Sequence, residues 1–410
     1  MKASLKVLTA LSLAAAFANA ALAQTPVTVR VLTLTAPANM PEINAQFEKE
    51  NPGIKLDFQI VPDPQYGDVI RARLAGGDAP DVFGGHARSE MTVWQKSGYI
   101  EDLSKEAWVA TLNPGPRTLA SIDGKVYQFP VGGDGLGFFV NLDLLAKVNA
   151  KIPTNFTQFK ATLTKLKAAG VRPLLVGFKD NFSSLIWSSM AASNLILTKN
   201  PEANAALVSG KANFDSAPWR GVLKQMRDLQ GFYDNKTALG LGGFDEVKNE
   251  FLAGRVAFIP YGTWAVQDIK KAAPNLKFAV IPYPGNRAGT QPTATVIANA
   301  AVMVSATSKV KDAAKKYVAF LARPDIYRKY ATGASLLSSV KGVRSDLADE
   351  INPLAEAIAV GRGSTFLPQA WGGDTQTPWT TMLGKYFANN LSESEALKGF
   401  EKDFRVEMAK

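Results

Sequence analysis

Residues 251–264 read FLAGRVAFIPYGTW, and the passage from helix to strand to helix in this stretch decides the fold. The run 256–261 is apolar and rich in strand formers, bounded by Gly254 and Gly262. Upstream, 245–253 has helical spacing, with Val247, Phe251 and Leu252 on one face, and Gly254 stands where a C-capping glycine belongs. Downstream, Thr263 is placed to N-cap a helix whose apolar stripe is Trp264, Val266 and Ile269. A large ring therefore sits on the first turn of a helix, just past a strand end. In an open α/β sheet that is the crevice where ligands bind.

The same alternation extends outward. Strand spacing at 27–34, a helix at 40–50, a strand at 54–60, a helix at 66–75 and a strand at 81–84 follow one another. Asn51-Pro52-Gly53 and Gly76-Gly77 mark the stops. Strands are expected again at 125–129, 137–141, 173–177 and 278–282, and as one run of small and β-branched residues at 296–304. Helices are expected at 142–148, 155–169, 182–197, 219–230, 310–321 and 324–330, and at three C-terminal places rich in aromatic residues. Strands alternating with helices predict an α/β protein with mostly parallel sheets. The 410 residues, 46% hydrophobic, are enough for two sizeable cores. No fixed-period repeat interrupts the chain.

The first residues form a separate device. Lys2 and Lys6 precede a short apolar run at 7–18, followed by the small residues ANA and ALA. This is the pattern of a secretory signal peptide, residues 1–23, cleaved after Ala23, with Ala20 as the alternative site. The run is shorter than the roughly 20 apolar residues of a membrane span. There is no cysteine, so neither disulfides nor a lipid-modified cysteine can form. An exported protein without an anchor needs a second barrier to retain it, which implies a periplasm. The net charge of +10 falls to +8 without Lys2 and Lys6, and the basic residues are spread with no run of four. That distribution, and export, argue against nucleic acid.

Chemistry is sparse. His86 is the single histidine, so His/Cys zinc sites are excluded, and Ser/His/Asp catalysis would rest on this residue alone. His86 follows a strand end in GGHA, where it is either a structural loop residue or a donor and acceptor for a hydroxyl ligand. GGDGLGF at 132–138 superficially resembles a phosphate loop, but a strand follows it where a nucleotide fingerprint needs a helix. It reads instead as a flexible or close-approach segment with one acceptor, Asp134. No motif for a cofactor or a metal is present. Nothing marks any two carboxylates as a glycosidase pair, though the sequence does not exclude one. Trp264, after Gly262, is either core or a face for a pyranose ring, worth about 0.5–1.5 kcal/mol. Trp371 sits in the glycine-rich AWGGD beside Asp374, and Trp187 reads as core.

The stretches RLAGGDAPDVFGG, IDGKVYQFPVGGDGLGFFVNLDLL, FLAGRVAFIPYGTWAVQDI and FAVIPYPG, in this order behind a signal peptide, resemble the family 1 extracellular solute-binding proteins of carbohydrate ABC transporters, the group that includes maltose-binding protein. The resemblance runs over nearly the whole mature chain and is specific for the family rather than the ligand. It implies a two-lobed clamshell with a three-segment hinge. The N-terminal lobe would be 24–131 plus 290–331 and the C-terminal lobe 132–289 plus 332–410. Crossings fall near 131–132, 284–292 and 330–334. It implies a sugar-binding protein rather than an enzyme, a monomer that delivers a carbohydrate to the permease subunits of an ABC importer. Trp264 and Gly262 would line the cleft from one lobe and His86 from the other. Asp134 would accept from hydroxyls near the hinge, and Lys341 and Trp371 match cleft loops. Relatives carry an aromatic residue just after the first strand, where this chain has Thr33-Leu34-Thr35-Ala36, which favours a smaller or differently held sugar. Two rivals stay open. One is the same fold with a glycerol phosphodiester, polyol or peptide, for which Arg88, Lys341 and Arg344 are the cations at hand. The other is an exported glycan-active enzyme.

Overall fold

The computed structural model describes residues 26–409, apart from 63–64, 87–88, 179–181, 235–237, 239, 241–243, 299, 344–348, 373–374 and 389–390. The signal peptide, Arg88, Arg344 and Asp374 lie outside the described residues.

Among the described residues six strands lie before residue 131: β1 Val27–Thr33, β2 Ile54–Ile60, β3 Val82–His86, β4 Ser121–Ile122, β5 Lys125–Val126 and β6 Phe129–Pro130. Seven follow: β7 Gly133–Asn141, β8 Arg172–Leu174, β9 Val256–Gly262, β10 Phe278–Ile281, β11 Ala294–Ala298, β12 Ala300–Val304 and β13 Gly363–Thr365. They form a five-stranded sheet ordered β2-β1-β3-β12-β6 and a six-stranded sheet ordered β13-β11-β7-β9-β8, with β10 also paired to β7. β4 and β5 form a separate hairpin, whose Asp123-Gly124 turn has both residues at positive φ, as a two-residue hairpin turn demands.

Each sheet has its own core. The apolar alternation of β1 and the i, i+4 pair Ile43 and Phe47 of the helix Met40–Glu50 bury Val29, Val31, Ile43 and Phe47 on the five-stranded sheet. β7 and β9 are buried along their whole length, because helices cover both faces of the six-stranded sheet. Phe138, Phe258 and Trp187 fill one side, and Phe139, Phe251 and Ile259 the other.

The sheets differ from the expectation in hand. β1 pairs in parallel with β2 and β3, but β12 runs antiparallel to β3 and β6. β7 is antiparallel to β9, β10 and β11, while β8 with β9 and β11 with β13 are parallel. Both sheets are therefore mixed. One reason is that the chain returns from one sheet to the other, and the returning β12 enters against the direction of β3 and β6.

The expected single strand at 296–304 is two. β11 belongs to the six-stranded sheet and β12 to the five-stranded one, so the chain passes between sheets at 298–300 and not at 284–292. Later the chain touches both cores: Leu336, Val340 and Val343 pack on the five-stranded one, Leu337 packs on the other and bridges to Gly133, and Ile351 is the first fully buried residue back in that other core. The last passage is therefore gradual, from Leu337 to Ile351, beginning close to the expected 330–334. The split of 296–304 has its cause in composition. Small and β-branched residues suit either sheet, so local pattern does not reveal where a strand changes partners.

Of the two readings of GGDG, flexible or close-approach, the structure bears out the second. The segment begins β7, and a Cβ on Gly135 would lie 2.1 Å from Leu354 Cδ2, and one on Gly137 2.6 Å from the Ile281 carbonyl oxygen. These glycines let a helix and a strand approach closely.

Candidate functional site

The site grows from the end of β9. Gly262 is extended, at φ −113° and ψ 155°, and Thr263–Ala265 forms a 3-10 turn that leads into the helix Val266–Ala272. Thr263 is thus inside the turn rather than capping it. Its hydroxyl points back to β7, donating to Asp134 Oδ1 at 2.9 Å and accepting from the Gly135 N–H at 3.0 Å. The turn leaves Val266 and Ile269 in the core but lifts Trp264 out of the expected apolar stripe to a half-buried position.

The Trp264 ring folds back over Gly262. A Cβ there would sit 2.0 Å from two ring carbons, so only glycine leaves the ring its place. Tyr261 and Phe182 flank it, with ring centroids 6.0 and 6.2 Å away. The ring lines a cleft of about 320 Å³ between the two sheets' domains. Thr35, Ala36 and Tyr330 face it from the five-stranded side, Gln267 and Asp268 from its own helix. Clefts of this size hold small molecules. Asp268 is the one charged side chain among the described residues that line it.

A larger space of about 560 Å³ lies on the other face of the connecting segments. Val131 and Leu336 line the smaller cleft, whereas Pro130, Gly132, Gly133 and Leu337 line the larger space. Its described lining has neither an aromatic ring nor a charged side chain. Size alone would favour it. The chemistry favours the cleft of Trp264.

The expected site residues divide. Asp134, Gly262 and Trp264 come together, joined through Thr263, but of the three only Trp264 lines the cleft; Gly262 lies beneath its ring and Asp134 is buried behind the turn. His86 ends β3, its backbone paired with Ala300, while Asp134 pairs with Ile297 on the same connecting run. The two registers are three residues apart in the chain, a reach of at most about 10 Å. Trp371 does not reach a cleft. It is 2% exposed, its Nε1 donates to Asn204 Oδ1, and its ring meets Phe214, Trp379 and Phe400. Gly372, at φ +83°, ends a short helix, so what reads as a glycine loop is a helix terminus seated on an aromatic core. Lys341 is exposed, and its Nζ donates to the Ala110 carbonyl within the same domain, away from Trp264. Thr263, Gln267 and Asp268 escape a reading of the sequence. A Thr after Gly resembles an ordinary N-cap, although the i+3 and i+4 spacing from Trp264 does place Gln267 and Asp268 beside the ring.

Among the described residues no helix is long and apolar enough to cross a membrane, and no cluster of three metal-binding side chains occurs. A multiple sugar-binding protein of Streptococcus mutans is 23% identical over 342 residues, covering 82% of this chain and 80% of that protein. The melibiose/raffinose/stachyose-binding protein of Bacillus subtilis is 24% identical over 317 residues, covering 75% and 72%. The apo structure of RafE from Streptococcus pneumoniae superposes with a TM-score of 0.78 at 24% identity, over 94% of this chain and 98% of that one. The family model for bacterial extracellular solute-binding protein matches residues 33–327. With nearly three quarters of its length matched, this chain belongs to the bacterial extracellular solute-binding proteins, a family that binds solutes rather than transforming them.

Proposed function

We propose that the chain captures a sugar between its lobes and delivers it to an ABC importer. The observation that carries this reading is the half-buried ring of Trp264, set at a strand end on a cleft between the two domains, with the Asp134 carboxylate tied to the same turn through Thr263. Trp264 offers its face to the C–H side of a pyranose ring. Asp134 accepts from hydroxyls, Gly262 makes room for the ring, and His86 contributes from the facing domain. Lys341 and Trp371 take no part. Two relatives named for sugars support the ligand class.

The lobes are 26–131 with 300–343, and 132–298 with 349–409. They close because the sugar touches both and so binds the closed form better. The permease subunits read that closed shape. A micromolar dissociation constant, about −8 kcal/mol, is enough for scavenging. The signal peptide is cleaved after Ala23, and the mature protein is a periplasmic monomer with no lipid anchor. An anionic ligand fits less well, since no Lys or Arg is among the described residues lining the Trp264 cleft.

The test is native mass spectrometry of the exported protein, followed by calorimetry with mono- to tetrasaccharides. We expect a mass that begins at Gln24 and one sugar bound per chain. We expect its affinity to hold up to roughly 1 M salt, where screening acts within about 3 Å. Binding of a phosphodiester alone, lost at high salt, would overturn the sugar reading.

A further inference from the structure

We propose that Thr263 is the positioning residue of the site, holding Trp264 and Asp134 in one fixed relation without touching the ligand. The inference rests on the sugar-binding reading of those two residues.

Thr263 is fully buried, so it cannot meet a solute in the cleft. Its hydroxyl has a single proton, which goes to Asp134 Oδ1. A lone pair of the same oxygen takes the Gly135 N–H. One atom thereby ties the first turn after β9 to the start of β7, two segments 128 residues apart in sequence. The partners are not interchangeable. Gly135 carries no side chain because Leu354 lies against it, so the β7 backbone is held on one side by packing and on the other by this hydroxyl.

The consequences run in two directions. Toward β7, the Thr263 hydroxyl selects one orientation of the Asp134 carboxylate. Toward the helix, it fixes the 3-10 turn, and Trp264 is the next residue. The ring has Gly262 beneath it and Tyr261 and Phe182 beside it, but these contacts only guide it if the turn is in place. Valine has the shape of threonine without the hydroxyl, so Thr263→Val removes both bonds and little else. Serine keeps the hydroxyl and loses a methyl group.

The test compares Thr263→Val, Thr263→Ser and the parent, each with and without Trp264→Phe. Subtracting the Phe partner isolates the emission of Trp264 from the other tryptophans. In the Val variant we expect that emission to shift to the red and acrylamide to quench it at least twofold more readily. The Ser variant should keep the parental signal. Thr263→Cys, with its weaker donor, stands in if the Val variant does not fold. In a second arm, melibiose, raffinose and stachyose are titrated by calorimetry. Thr263→Val should weaken sugar binding about tenfold and Thr263→Ser less than threefold. Combined with Trp264→Ala, Thr263→Val should cost clearly less than the product of the two single effects. A Val variant with parental Trp264 emission and parental affinity would overturn the proposal. If the parent binds none of these sugars, that failure belongs to the ligand assignment, and the emission arm alone decides the role of Thr263.

Discussion

In the proposed site, Gly262 and Trp264 together make the binding face. A strand that is buried end to end must stop before it can offer anything to a solute. Here it stops at the one residue type that lets an indole ring lie across its own backbone. Trp264→Ala should weaken sugar binding by about 0.5–1.5 kcal/mol, roughly two- to tenfold in dissociation constant. Gly262→Ala should do the same with the ring still present, because the new Cβ displaces it. Calorimetry of both variants checks this, and full affinity in Gly262→Ala would show that ring placement is irrelevant. At this scale the sequence made the strand end at Gly262 and Trp264 legible, because these two residues are neighbours in the chain and in space. It was misleading for Trp371, since a tryptophan beside glycines looks exposed until Phe214 and Phe400, distant in the chain, are seen around it. The role of Thr263 depends on Asp134, 129 residues away, and no local pattern announces such a bond.

At the scale of elements, the helices and strands were largely legible, because the periods of 3.6 and 2 are written into the apolar positions. What pattern could not give was strand partnership, as 294–304 shows. Elements are also pinned by charge. Glu101 receives Lys311 and Lys315, at 3.0 and 3.1 Å, joining the chain after β3 to the helix Lys311–Leu321. Partial burial works to raise the Glu101 carboxyl, but hydrogen bonds from the two lysines prevail and hold it below its ordinary 4.5. A carboxylate with a depressed value in the folded state stabilises the fold above its unfolded value. That contribution is lost as the pH falls through the folded one. Glu101→Gln should therefore lower stability by about 0.5–1 kcal/mol at neutral pH, and the gap to the parent should close as the pH drops below 4.5. Denaturant titrations across that range would read the difference; a gap that persists in acid would mean that packing, not charge, is at stake.

At the scale of the molecule, two-lobed architecture followed from length, alternation and family resemblance, whereas the points of passage between lobes did not. The lobes also meet directly. Gln267 Nε2, from the helix of Trp264, donates to Ser335 Oγ at 2.9 Å, and Ser335 holds a positive φ of 54° just before the chain's last passage. A hydrogen bond of this kind contributes about 0.5–1.5 kcal/mol. Gln267→Ala should shift the ligand-free protein toward open forms by roughly two- to tenfold, seen as a larger radius of gyration in X-ray scattering. An unchanged radius would remove Gln267 from the hinge. The central claim is capture of a sugar by closure. The most direct test is scattering from the mature protein during titration with mono- to tetrasaccharides. The account predicts that at least one sugar binds with one-to-one stoichiometry and contracts the molecule. If no sugar in the series binds or contracts it, while a phosphodiester or a peptide does, the fold stands and the claim is contradicted.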